Sequence, residues 1–164
     1  MTYTQKYTIV SFIDAVENGY EFTAGAWPAH ITLAATFSIQ SPVNKVIKQL
    51  NEVAERTHRC TTHITGEAYF GPKQTVHVAL LDNTASIDAL HTDIVTVLHD
   101  AGAAFNEPHY ILDGYKPHIT LTSAIKKFSH TQTIELSSIA LIDMYPNNNQ
   151  HNRTVLWQAP LHNN

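Results

Sequence analysis

Two copies of one tetrapeptide stand out in this chain, His30-Ile31-Thr32-Leu33 and His118-Ile119-Thr120-Leu121. A proline lies just upstream of each, Pro28 in one case and Pro117 in the other. Residues two apart share one face of a β-strand, whereas on a helix they do not face together. Each copy therefore reads as a strand that turns an imidazole and a hydroxyl to one surface and Ile and Leu to the other. With 11 His in 164 residues, chance placement gives about one His-x-Thr triplet but only about 0.01 copies of the full tetrapeptide. A third triplet, His63-Ile64-Thr65, is followed by Gly66 and has no nearby preceding proline. It is expected to be a decoy.

If the two strands lie side by side, their polar faces bring together two imidazoles and two hydroxyls. No carboxylate or cysteine accompanies them, so the set is a poor match to a catalytic zinc site. A serine-type triad needs one nucleophile, one His and an orienting acid, and does not explain a duplication. Two histidines at one reacting centre suit paired acid–base catalysis, each worth about 10²–10⁴ in rate. Threonine hydroxyls beside them can donate to the non-bridging oxygens of a phosphoryl group. A phosphodiester uses all four groups at once.

The elements that must hold these residues are readable from periodicity. Residues 6–13 are β-rich, and residues 14–26 read as a short helix or loop around Gly19 and Gly25. The first motif strand is expected over 30–39, entered through Trp27-Pro28. Ser41 followed by Pro42 reads as an N-cap with Pro at the first helical position, and Val46, Leu50 and Val53 carry an amphipathic helix to residue 57. Strands are expected over 60–70 and 75–81, joined at Gly71-Pro72. Thr84 is expected to cap a second helix with the stripe Ile87, Leu90, Ile94, Val97 and Leu98, ending near Gly102. His91 and His99 on it are read as exposed. A turn at Asp113-Gly114 leads to the second motif strand, and two last strands are expected over 133–145 and 153–158, joined by a polar turn. The motifs lie 118 − 30 = 88 residues apart, about half the chain. That spacing suggests a duplication, one long helix and several strands to each half, with approximate two-fold symmetry.

Composition narrows the classes. The length suits one globular domain spanning 1–164, or two small lobes on a shared core. Hydrophobic residues make up 43% of the chain, with no long apolar run, so no membrane span is expected. The N-terminus shows no secretory signal pattern, and the only cysteine, Cys60, cannot form an internal disulfide. A cytoplasmic monomer is expected. A net charge of −4 argues against a protein that coats long nucleic acid but leaves room for a small anionic ligand or one RNA end.

The paired His-x-Thr-Leu strands, each after a Pro, at this separation in a chain of this length, resemble the 2H phosphoesterase superfamily, with the bacterial 2′-5′ RNA ligase / cyclic phosphodiesterase branch as the nearest match. The resemblance implies an α+β, bilobal fold, two pseudo-symmetric lobes of antiparallel sheet with outer helices around a central groove. It implies metal-independent chemistry, without a cofactor, on 2′,3′-cyclic phosphates or 2′-5′ linkages of RNA or nucleotides. Carried onto this chain, His30 and His118 are the acid–base pair, with His118 as base and His30 as acid in hydrolysis and the roles exchanged in reverse. Thr32 and Thr120 are the phosphate ligands. Some members carry a basic residue after the second motif, where this chain has Thr122-Ser123-Ala124. Cationic help would then come from Lys116 or Lys73. Tyr115, just before His118, and Phe70 are candidates to stack a base. Two other classes stay open. One is an RNA-end or nucleotide binding module with little turnover, separable by measuring affinity against turnover. The other is a metal hydrolase drawing on the many histidines, separable by metal analysis.

Overall fold

The chain is described by a computed structural model covering residues 5–123, 125, 128, 129 and 131–163. Ala124, the last of the three residues noted after the second motif, lies outside the described residues, as does the start of the N-terminus read for a signal. Among the described residues, ten strands and two α-helices follow in order: β1 (Tyr7–Phe12), β2 (Glu21–Thr23), β3 (His30–Ser38), α1 (Val43–Arg56), β4 (Cys60–Phe70), β5 (Val76–Leu81), α2 (Ala85–Asp100), β6 (Ala104–Phe105), β7 (His118–Thr120), β8 (Thr133–Leu136), β9 (Ser138–Asp143) and β10 (Asn152–Pro160). The strands pair in the order β2-β10-β9-β1-β3-β7-β5-β4-β8, with β6 on β3, and each pairing between these strands is antiparallel. The fold is thus α+β, a large open antiparallel sheet with two helices. The two motif strands, β3 and β7, are neighbours at its middle.

The tetrapeptides alternate as their spacing dictates. Ile31, Leu33 and Ile119 are fully buried, while His30, Thr32, His118 and Thr120 are half-buried on the opposite face. The buried isoleucines join one core with Val46, Leu50 and Val53 of α1 and Ile87, Leu90, Ile94 and Leu98 of α2. Both helices therefore cover the Ile face, and they pack on each other as well as on the sheet. A second cluster, Val10, Phe12, Phe22, Ala140, Ile142 and Val155, with Trp27 against it, underlies the sheet on the other side. Phe12 is the cross-strand partner of His30, and Val10 that of Thr32. The polar motif face thus rests beside an apolar bed.

Several local expectations give way to tertiary context. Residues 14–26 contain no helix. Their regular part is the short strand β2, which pairs with β10. Helix α1 begins at Val43, with Pro42 extended at the N-cap and no side-chain cap. Ser41 does not cap it, because the helix starts one residue later than expected and leaves Ser41 outside the N-cap position, its N–H on the Ala101 carbonyl at the end of α2. Thr84 does cap α2, its Oγ1 accepting from the Ile87 N–H at 3.3 Å. The expected strand over 133–145 is two strands. β8 pairs with β4 at one end of the sheet, and β9 pairs with β1 and β10 toward the other.

Before β7 the chain makes two 3₁₀ turns, Pro108–Tyr110 and Leu112–Gly114. Gly114 is required there by space, since a Cβ on it would meet the His109 carbonyl oxygen at 1.8 Å. The left-handed residue of this turn is Leu112, with φ of 56°. That conformation costs a residue with a Cβ about 1–2 kcal/mol.

Candidate active site

Ile31 faces Ile119 across the β3–β7 ladder. In an antiparallel register, continuing that pairing sets His30 opposite Thr120 and Thr32 opposite His118. The four polar side chains of the two motifs therefore form a crossed square, each imidazole beside the hydroxyl of the other motif and the histidines on a diagonal. Directly opposite residues on one face lie about 4.5–5.5 Å apart at Cβ, and diagonal ones about 7–8 Å apart.

Both imidazoles are held alike. His30 Nδ1 lies 2.8 Å from the Pro28 carbonyl oxygen, and His118 Nδ1 lies 2.8 Å from the Lys116 carbonyl oxygen, each two residues upstream. A carbonyl only accepts, so both Nδ1 atoms carry hydrogen, and Nε2 is the nitrogen of each ring that can take up a proton. Burial is the main cause holding both imidazoles below the ordinary histidine value. The upstream carbonyls oppose this, and for His30 the charge of a protonated His118 adds to it.

Aromatic rings fix the remaining freedom. Trp27 lies 4.6 Å from the His30 ring and Phe12 meets it edge-on at 6.5 Å. Phe70 meets His118 edge-on at 4.8 Å. Beside His118 a cavity of about 560 Å³ opens, lined by Thr32, Phe70, Val76, Tyr110, Lys116 and His118 among others.

The structure brings His30, Thr32, His118 and Thr120 together and sets Phe70 and Lys116 at the cavity. Lys73 is in the exposed turn between β4 and β5 and does not line it. Tyr115 is at the cavity, but one face and its hydroxyl are already engaged. His91 stacks on it at 3.8 Å and 4°, and the hydroxyl donates to the Thr32 carbonyl at 2.9 Å. His63 is exposed on β4. His77 pairs with Glu67 at 3.0 Å and stacks on Tyr69.

His91 is the residue that sequence reasoning misplaced. Read as an exposed helix position, it is fully buried, because the core stripe of α2 passes through it. The signal was its spacing, four residues after Ile87 and three before Ile94, with Leu98 next on the same face. Burial is the first cause that keeps it below the ordinary histidine value. Glu107 and His109, which also line the cavity, carried no sequence signal.

The profile of the 2′-5′ RNA ligase superfamily matches residues 7–137. No curated protein matches the chain in sequence. Among solved structures, E. coli LigT complexed with 3′-AMP is similar at a TM-score of 0.59 and 14% identity, covering 96% of this chain and 98% of that one. LigT complexed with NADP+ gives 0.57 and 14%, over 96% and 98%. TT0787 of Thermus thermophilus gives 0.59 and 16%, over 95% and 97%. At such identities the likeness is one of fold, and it extends over nearly the whole of each chain. The family match spans both motifs and most of the sheet, and the chain belongs to the 2′-5′ RNA ligase superfamily, the 2H phosphoesterase grouping.

Proposed function

We propose that this chain is a phosphoesterase that opens 2′,3′-cyclic phosphates or cleaves 2′-5′ phosphodiesters of RNA ends or nucleotides, with His118 and His30 as base and acid. The observation that carries this reading is the crossed His/Thr square about the Ile31–Ile119 pair. In hydrolysis, water attacks phosphorus while neutral His118 Nε2 takes its proton. The bond from phosphorus to the leaving 2′ or 3′ oxygen breaks, and protonated His30 gives that oxygen a proton from Nε2. The product is a phosphomonoester, and the two rings have exchanged protonation states. Thr32 and Thr120 donate to the non-bridging oxygens, where charge develops.

The acid, the base and the charge-stabilising donors are all side chains of this protein, so the reaction is metal-independent on this reading. The LigT complexes with 3′-AMP and NADP+ favour a nucleotide-sized substrate in the same fold. The apolar cavity beside His118 would take its base, next to Phe70 and Tyr110.

The test is turnover of nucleoside 2′,3′-cyclic phosphates and 2′-5′-linked dinucleotides, with phosphate products resolved by chromatography. Turnover should persist in EDTA and fall about 10²–10⁴-fold in His30→Ala and again in His118→Ala. Retained turnover in both variants would sink the assignment. Binding of 3′-AMP with no turnover of any of these compounds would favour a nucleotide-binding module.

A further inference from the structure

His91 lies on α2, outside both motifs, yet its two ring nitrogens bind the segments that carry them. Nδ1 is 2.6 Å from the Leu33 carbonyl in β3, and the Leu112 N–H donates to Nε2 at 2.9 Å. The carbonyl can only accept and the N–H can only donate, so the ring is neutral with its hydrogen on Nδ1. Leu112 is the left-handed residue of the turn that leads into β7. The face of the same imidazole lies on Tyr115, whose hydroxyl holds the Thr32 carbonyl. The buried His91 ring thus ties Leu33 of the first motif to Leu112 and Tyr115 of the lead-in to the second, and Tyr115 in turn holds Thr32, next to Leu33. Direct contact between the motif strands is short by comparison, since β7 has three residues.

We propose that His91 and Tyr115 are positioning residues that set Thr32 against His118. Neither moves a proton in the reaction. They act through the backbone of Thr32, whose hydroxyl faces the phosphoryl group on the reading proposed above, and this inference rests on that reading. Displacements well under a hydrogen-bond length weaken catalysis strongly when a donor must meet a developing charge.

The experiment is a double-mutant cycle of Tyr115→Phe with Thr32→Val, supported by His91→Phe, using adenosine 2′,3′-cyclic phosphate for kinetics and 3′-AMP for calorimetric binding. Tyr115→Phe keeps the ring and its stack and removes only the bond to Thr32. It should lower kcat about tenfold with KM within about twofold. In the Thr32→Val background the same change should cost less than about twofold, since the donor being positioned is gone. A purely structural role would cost the same factor in both backgrounds, and that result overturns the inference, as does a Tyr115→Phe variant with unchanged kcat. His91→Phe should match or exceed the Tyr115→Phe loss, and if it fails to fold, the Tyr115 cycle alone decides. A wild-type chain that binds 3′-AMP without turnover removes the hydrolase reading, and the cycle is then scored on 3′-AMP affinity by the same criterion. A wild-type chain that neither binds nor turns over removes both.

Discussion

At the scale of single residues, the proposed reaction runs through two imidazoles whose protons are fixed on Nδ1 and whose burial disfavours charge. The active form needs one neutral and one protonated ring. With both values lowered, the free protein at neutral pH holds both rings mostly neutral, and the form with one ring protonated grows as pH falls. The pH profile of kcat/KM should therefore be bell-shaped, with its maximum acid of the ordinary histidine value near 6.5. A bound phosphodiester places an anion beside both rings and raises both values, so the kcat profile should lie at higher pH than that of kcat/KM. Initial rates over the range accessible to the folded protein check both statements. Coincident profiles, or a kcat/KM maximum in the alkaline range, contradict the paired-imidazole account. The threonines give a companion test. Thr32→Val and Thr120→Val each delete one donor to a charged group and should each lower kcat by about 10–10²-fold. The crossed square makes the two losses similar, whereas a site dominated by one motif would make them differ widely.

At the scale of elements, the most exposed dependence is on β7, which has three residues. Its middle residue, Ile119, is fully buried and is paired on both sides, with Ile31 of β3 and Ala79 of β5. Ile119→Ala should cost about 2–5 kcal/mol, the range for large-to-small changes in a packed core. Thr84→Ala, which removes the cap of α2, should cost only about 1 kcal/mol. Chemical denaturation of the two variants checks the ordering. Much of this level was legible in the sequence. The alternation in the tetrapeptides placed the two motif strands, and the apolar stripes placed α1 and α2 within a residue or two. What was hidden depends on contacts between distant segments. Ser41 has the chemistry of a cap, but the helix begins at Val43 with Pro42 at the cap, and Ser41 is instead tied through its N–H to Ala101, sixty residues on. Tyr115 has the chemistry of a base platform, but His91, twenty-four residues earlier, occupies one face of it. Residues 133–145 read as one strand because their apolar pattern continues across the break at Ser137, where the chain passes from β4's side of the sheet to β1's.

At the scale of the whole molecule, three histidines, His30, His91 and His118, are built into the body of the fold in states that disfavour protonation, burial being the first cause for each. This couples stability to pH. A group whose folded value lies below its unfolded value binds more protons when the chain unfolds, so unfolding becomes easier as pH falls. The contribution is fully present above the unfolded value, near 6.5, and is lost as pH drops from there through the folded values. His91 should report this most sharply, because a proton on Nε2 would point at the Leu112 N–H and break that bond. The expected result is a thermal midpoint that is flat between pH 7 and 8 and declines from pH 6.5 toward 5, before most carboxylates titrate. In His91→Phe the midpoint at pH 7.5 should be lower, since two hydrogen bonds are gone, but its decline between pH 6.5 and 5 should be shallower, since one proton fewer is taken up. Calorimetric scans of both proteins in buffers of matched ionic strength separate these effects. An equal slope in the two proteins would place the acid sensitivity in other groups, and a midpoint in the wild type that holds constant down to pH 5 would mean that the buried imidazoles are not kept neutral by the fold.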